Sequence, residues 1–281
     1  MLLISAIFGF IAIELTFLQE PLLPSKEASQ IHWHSTTYSD AAEGGASSIE
    51  IIDDDYSYSL NMLLRKESES IFAMGEMEFV NADGTPTTID LSQFNTLSFM
   101  AKCTPENTLT FSLFTVDENA SKFDDARSDR ISTRYFHCNS EWQQFDIDIT
   151  RLDTPEWWYK WYNQELSNQE YSLSKVIKIA FGSSIQSPKN VQSNISIRSL
   201  SFLGNDWFYL YLYGSLCGAA WIVLFVWLFR QHASHLMADI REKMQKDRPL
   251  IAYKQLSIES HKDKDKTTIL RLMATEYANP E

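Results

Sequence analysis

Apolar and polar residues alternate with a period of two along much of the chain between His32 and Gly204. Thr96–Cys103 sets Leu97, Phe99 and Ala101 on one face, Thr108–Val116 sets Leu109, Phe111 and Leu113, and Trp142–Ile149 sets Phe145, Ile147 and Ile149. Val176–Phe181 and Ile195–Phe202 keep the same rhythm, and Ser48–Ile52, Tyr56–Leu64 and Phe72–Val80 precede it. Alternation buries one face of a sheet and wets the other. Eight or more short strands separated by polar turns predict a mainly β fold: an antiparallel jelly-roll sandwich over residues 30–205.

Two continuous apolar runs break this rhythm. Trp207–Phe229 carries no charged residue. At about 1.5 Å per residue, about 20 helical residues cross the hydrocarbon core of a bilayer. Trp207, Tyr209, Tyr211 and Tyr213 crowd one end and Trp227 and Phe229 the other, where amphipathic rings meet headgroups. Arg230, Arg241, Lys243, Lys246 and Arg248 come next, which puts the C-terminal side in the cytoplasm. The other run, residues 1–18, is apolar except for Glu14 and lacks the basic start of a secretory signal. An uncleaved signal anchor fits it better than a cleaved signal peptide; either one exports the β-domain. Gly214 and Gly218 form a G-x-x-x-G face that lets helix backbones approach closely. Its partner is a second copy, in a homodimer, or the first segment, where Ser5 and Gly9 share the spacing; a glycine common to membrane helices is the plainer reading.

Beyond the membrane run, Ala233, Met237, Ile240 and Met244 recur at helical spacing and predict an amphipathic stalk over 230–248, either a coiled coil or a helix lying on a surface. Pro249 is expected to end it. A linker, 249–266, includes the charge run His261–Lys266, and 267–281 begins another helix with Ile269, Leu270, Met273 and Tyr277 on one face. Fifteen residues cannot bury such a face alone.

Charge separates these regions. Residues 18–206 sum to −14 and the stretch after Phe229 to +2. An acidic domain of this kind does not take up nucleic acid, whose phosphates need cations. Cys217 lies in the apolar run. Cys103 and Cys138 lie at the ends of expected strands, and two readings stay open for them: a disulfide, in keeping with an oxidising compartment, or two buried thiols.

Candidate chemistry is sparse. Thr154 and Pro155 are expected to start a short helix, with Thr154 as cap. It carries Trp157, Trp158, Tyr159, Trp161 and Tyr162, five aromatics in six residues. Their faces can stack on sugar rings in a saccharide or other envelope ligand, plug one end of the sandwich, or rest on headgroups. Asp53–Asp55 lacks the alternating ligand spacing of a calcium loop, and His32 and His34 share a strand face without a third ligand, so no metal is expected. No nucleophile motif, phosphate loop or His–carboxylate signature is present; neither an enzyme nor a cofactor is expected.

The chain carries two resemblances. Strands of the Leu97–Lys102 and Trp142–Ile149 type, with a last strand running into Gly204, resemble a carbohydrate-binding-module or galactose-binding-like jelly roll. That resemblance implies a binding domain. Ile269–Glu281, an apolar helix ending in Tyr277 before Asn279-Pro280, resembles the opening helix of an AraC-type helix-turn-helix domain. The order of segments resembles membrane-bound AraC-family regulators, and implies a sensor in the bacterial inner membrane with residues 30–205 periplasmic and the tail cytoplasmic. The recognition helices of that family would lie beyond Glu281, so this chain is expected to be the sensing half or a truncated product. DNA would be a partner only if a helix-turn-helix is encoded after Glu281. A membrane-tethered envelope carbohydrate-binding module without signalling output is the alternative.

Overall fold

The computed structural model describes residues 2–24, 29–67, 70–122 and 125–276. The alternating segments pair into two antiparallel sheets. One has the order β3 (Ser48–Asp53), β4 (Tyr58–Leu63), β11 (Gln192–Asn205), β6 (Phe94–Thr104) and β9 (Gln143–Asp148), with β1 (Phe17–Pro21) also on β11. The other has the order β2 (His32–Ser39), β5 (Ala73–Val80), β10 (Val176–Ser183), β7 (Asn107–Thr115) and β8 (Arg130–Cys138). The apolar sets expected from alternation face each other between the sheets: Leu97, Phe99, Leu109, Phe111, Leu113, Ile195 and Ile197 are all buried. Phe99 meets Phe136, Phe145 and Phe181 at centroid distances of 5.3–5.5 Å. Gly75 is needed on the inner face of β5, where an added Cβ would stand 2.7 Å from both the Tyr58 hydroxyl and the Leu60 side chain.

Cys103 of β6 and Cys138 of β8 are joined in a disulfide, Cα–Cα 5.6 Å, which ties one sheet to the other. Cys217 is free of any disulfide.

β11 changes neighbours along its length. Gln192–Ile197 pairs with β4, and Ser201–Asn205 pairs with β1. The change falls at a bulge between Arg198 and Ser201, where Ser199 has φ +53°. The sandwich therefore includes Phe17–Pro21 and starts earlier than the expected residue 30. The apolar first segment is a helix only over Leu2–Thr16 (α1), with Phe17 and Leu18 spent in β1. Asp206 N donates to Thr16 O at 2.8 Å, so the exit of α1 lies against the exit of β11.

The chain divides into two compact units, 1–211 and 212–281. Only Asp206 separates β11 from α3 (Trp207–Glu276). Within α3 the stretch Trp207–Lys246 is, among the described residues, the one helix long and apolar enough to cross a membrane. Trp221, Ile222, Val223 and Phe225 are exposed on it. A helix apolar all round suits a buried or lipid setting, and among the described residues nothing buries this one.

The expected break and linker are corrected by the structure. α3 runs through Pro249 and through 249–266 without interruption. A proline removes one helical hydrogen bond, at a cost of about 3 kcal/mol, but does not dictate a stop where flanking residues favour helix. Two pairs at i,i+4 support the turns before it, Asp239–Lys243 at 3.3 Å and Glu242–Lys246 at 3.0 Å. The end of the tail motif, residues 277–281, lies outside the described residues.

Candidate functional site

The aromatic segment forms α2, Glu156–Trp161, between β9 and β10. Its N-cap is Pro155, with no side-chain cap bond. The Thr154 hydroxyl, expected to cap the helix, is used elsewhere: it accepts from Arg130 Nε at 3.1 Å and lies 3.1 Å from the Ser132 hydroxyl.

Helical geometry divides the five aromatics into two sets. Trp158, 0% exposed, and Tyr159 are buried with Ala120 in a small second core, against which Ile131 and Tyr162 pack. Trp158 Nε1 donates to Asp129 O at 3.0 Å, and the Tyr162 hydroxyl donates to Arg127 O at 2.7 Å. Burial pushes the Tyr162 hydroxyl and the Asp129 carboxyl above their ordinary ranges. Of the readings open for these three candidate rings, ligand contact, packing or headgroup contact, the structure has them packed against the domain. Trp157 and Trp161, one turn apart, face solvent at 42% and 68% exposure, with ring centroids 4.8 Å apart.

The residue that fixes this arrangement is Arg130, which the sequence did not single out. It is 1% exposed. All five of its N–H donors are used: Nε on Thr154, Nη1 on Asp117 Oδ2 (3.4 Å) and Glu170 O (2.6 Å), Nη2 on the Tyr159 hydroxyl (2.8 Å) and Asn168 O (2.8 Å). Its guanidinium also lies over the rings of Trp158, Tyr159 and Tyr171 at 5.4–5.9 Å. One side chain thus joins β8, α2 and the loop after α2. The only sequence signal was a charged residue heading a strand that ends in Phe136 and Cys138.

Other polar groups have structural roles. Burial alone would raise the Asp53 carboxyl, but bonds from the Ser57 hydroxyl and from the backbone N–H groups of Asp55 and Ser57 outweigh it and hold it low. Asp53 thereby closes a turn. His34 Nε2 lies 3.0 Å from Glu78 Oε2, and Lys178 Nζ lies 2.9 Å from the buried Glu76 and 4.7 Å from the Phe114 ring. Among the described residues, no three His, Cys, Asp or Glu side chains converge as metal ligands.

No protein-family model matches the chain, and no curated protein matches it. Solved structures similar to it include carbohydrate-binding modules. A family 11 module from Clostridium thermocellum, in complex with a β-1,3-1,4-mixed-linked tetrasaccharide, has 14% identity and a TM-score of 0.44 over 66% of this chain and 96% of that one. A family 30 carbohydrate-binding module has 13% identity and a TM-score of 0.44 over 67% and 99%. An agarase, AgWH50C, has 10% identity and a TM-score of 0.35, covering 57% of this chain and 24% of the enzyme. These values do not place the chain in any of those families.

Proposed function

We propose that this protein is a membrane-tethered, exported saccharide receptor that stacks sugar rings on Trp157 and Trp161. The observation that carries the reading is the division of α2. Its inner aromatics are locked by packing and by Arg130, while the two outer indoles stay partly exposed, Trp157 at 42% and Trp161 at 68%. Leaving such rings exposed forgoes about 25 cal/mol per Å² of burial, so a rigidly presented pair is better explained by an occupant than by folding. A sugar ring offers the matching apolar face and leaves its hydroxyls to polar neighbours.

The cross-sheet disulfide supports export to an oxidising compartment, and the basic residues after Phe229 support a cytoplasmic tail. A reporter fused after Glu281 that is active only on the periplasmic side overturns that orientation. Signalling is the finer reading. It is supported by the single residue between β11 and α3 and by the AraC-like tail, and it requires a ligand that binds two states of the domain differently. Any DNA-binding output would be encoded after the Glu281 codon, and finding no helix-turn-helix there favours a tethered module without output.

The function is tested by titrating the full-length protein, in nanodiscs, with neutral oligosaccharides, a mixed-linked β-1,3-1,4 tetrasaccharide first. Trp157→Ala and Trp161→Ala are each expected to weaken binding by about tenfold, which corresponds to about 1.4 kcal/mol. Unchanged affinity in both variants contradicts the reading. If instead both variants bind sugar normally and lose contact with protein-free vesicles, the rings serve the membrane.

A further inference from the structure

One sheet ends at β9 and the other at β8, whose edge is bridged at Thr133 by the Asp153 backbone, and these two edge strands border a cleft of about 580 Å³. Its floor is apolar, formed by Phe136 and Phe145, whose centroids are 5.1 Å apart. Its rim holds Tyr135, which is exposed, with Arg134, Arg151 and Asp148. The rim arginines are loosely held. Arg134 Nη1 stands 3.8 Å from Asp153 Oδ2, and Arg151 Nε stands 3.7 Å from Asp148 Oδ2. Both separations exceed hydrogen-bonding distance, and both pairs are exposed, so exchanging them for a ligand costs little. Arg130, fully satisfied on the same strand, is the contrast.

We infer that the β8–β9 cleft is a second saccharide subsite, continuous with the Trp157–Trp161 platform, and that the ligand is a neutral oligosaccharide chain. The inference rests on the saccharide reading of that platform and extends it. An apolar floor with an exposed phenol ring matches the C–H face of a pyranose, and guanidinium donors set beside carboxylate acceptors match its neighbouring hydroxyls. Arginines and aspartates balance at the rim, and the surrounding domain is strongly acidic, so a polyanion meets repulsion. An extended peptide adding to either edge is disfavoured by the charges that line it. Arg134, at the rim, stands near Asp153, which precedes Trp157 by four residues, so the Cα atoms of Asp153 and Trp157 lie within about 14 Å, a span covered by a few sugar rings.

The test is calorimetric titration of the full-length protein in nanodiscs with neutral hexaoses of the cello-, laminari-, manno- and malto- series, the corresponding disaccharides, and hexagalacturonate. A hexaose is expected to bind about tenfold or more tighter than its disaccharide. Tyr135→Ala and Arg134→Gln should remove that length preference while leaving disaccharide binding and thermal stability unchanged. If both variants keep the preference while Trp157→Ala weakens binding by about tenfold, the cleft assignment is overturned and the platform stands. If no sugar binds the wild-type protein, both fall. Tighter binding of hexagalacturonate than of every neutral hexaose overturns the neutral class.

Discussion

Replacing Arg130 with Met should destabilise the domain more than any surface change. The methionine keeps most of the volume but removes five donors. It strands the largely buried Asp117 carboxylate, the Glu170 carbonyl and part of the hydrogen bonding of Tyr159, Asn168 and Thr154. Breaking a buried ion pair by removing one partner costs about 3–5 kcal/mol. Against a typical total of about 5–15 kcal/mol, that is about a fifth or more of the stability. At about 2–4 °C per kcal/mol for a domain of this size, the melting temperature should fall by about 6–20 °C. Arg130→Lys should fall between, since an ammonium keeps the charge but not the planar fork. Lys175→Met is the control: its pair with Glu118 at 3.3 Å is exposed and is worth about 0–1 kcal/mol. Thermal and guanidinium unfolding of the three variants, monitored by near-ultraviolet circular dichroism, measures the difference. A methionine variant within about 1 kcal/mol of wild type would refute the view that Arg130 organises α2.

Reducing the Cys103–Cys138 bond, which closes a loop of 35 residues in sequence separation, should lower stability by about 4 kcal/mol in unfolding experiments with and without reductant. Burial raises the Tyr171 hydroxyl to about 12 and the Tyr58 hydroxyl further, from an ordinary 10.0. Both folded values lie above the unfolded one, so their contribution is whole below pH about 10 and is lost as pH rises from about 10 toward 12. An ultraviolet titration should show these two tyrosines ionising only as the domain unfolds, and ionisation of all tyrosines near pH 10 with the fold intact would count against it. Among the described residues, an added Cβ at Gly214 or Gly218 meets nothing within 4 Å outside the helix's own neighbouring backbone, which leaves room for a partner helix. Gly214→Ile and Gly218→Ile should weaken self-association in a membrane two-hybrid assay more than Ala220→Ile or Val223→Ile, and equal signals from all four would make the motif incidental.

The strands that the sequence made legible are those in which apolar side chains occupy every inward position, such as Leu97, Phe99 and Ala101 of β6. The extent of β8 was hidden because its inward positions begin with Arg130 and Ser132, whose burial depends on partners 13 or more residues away. β1 was masked by its continuity with the apolar first helix, and it is a strand because β11 offers a free edge beyond Ile197. The aromatic cluster was visible, but its division into locked and exposed rings was not. That division comes from the phase of a helix of six residues and from the hydrogen bonds of Arg130. Pro249 shows the limit of a local rule: the cost of one proline is modest against a helix of 70 residues.

Saccharide stacking on α2 is tested most directly by a nuclear magnetic resonance titration of the nitrogen-labelled protein with the tightest-binding neutral hexaose, monitoring the indole N–H signals of its eight tryptophans. Trp157 and Trp161 should shift with saturable behaviour, while Trp158, bonded to Asp129 O, and the buried Trp33 stay in place. Saturable shifts confined to other tryptophans, with Trp157 and Trp161 unmoved, would contradict it.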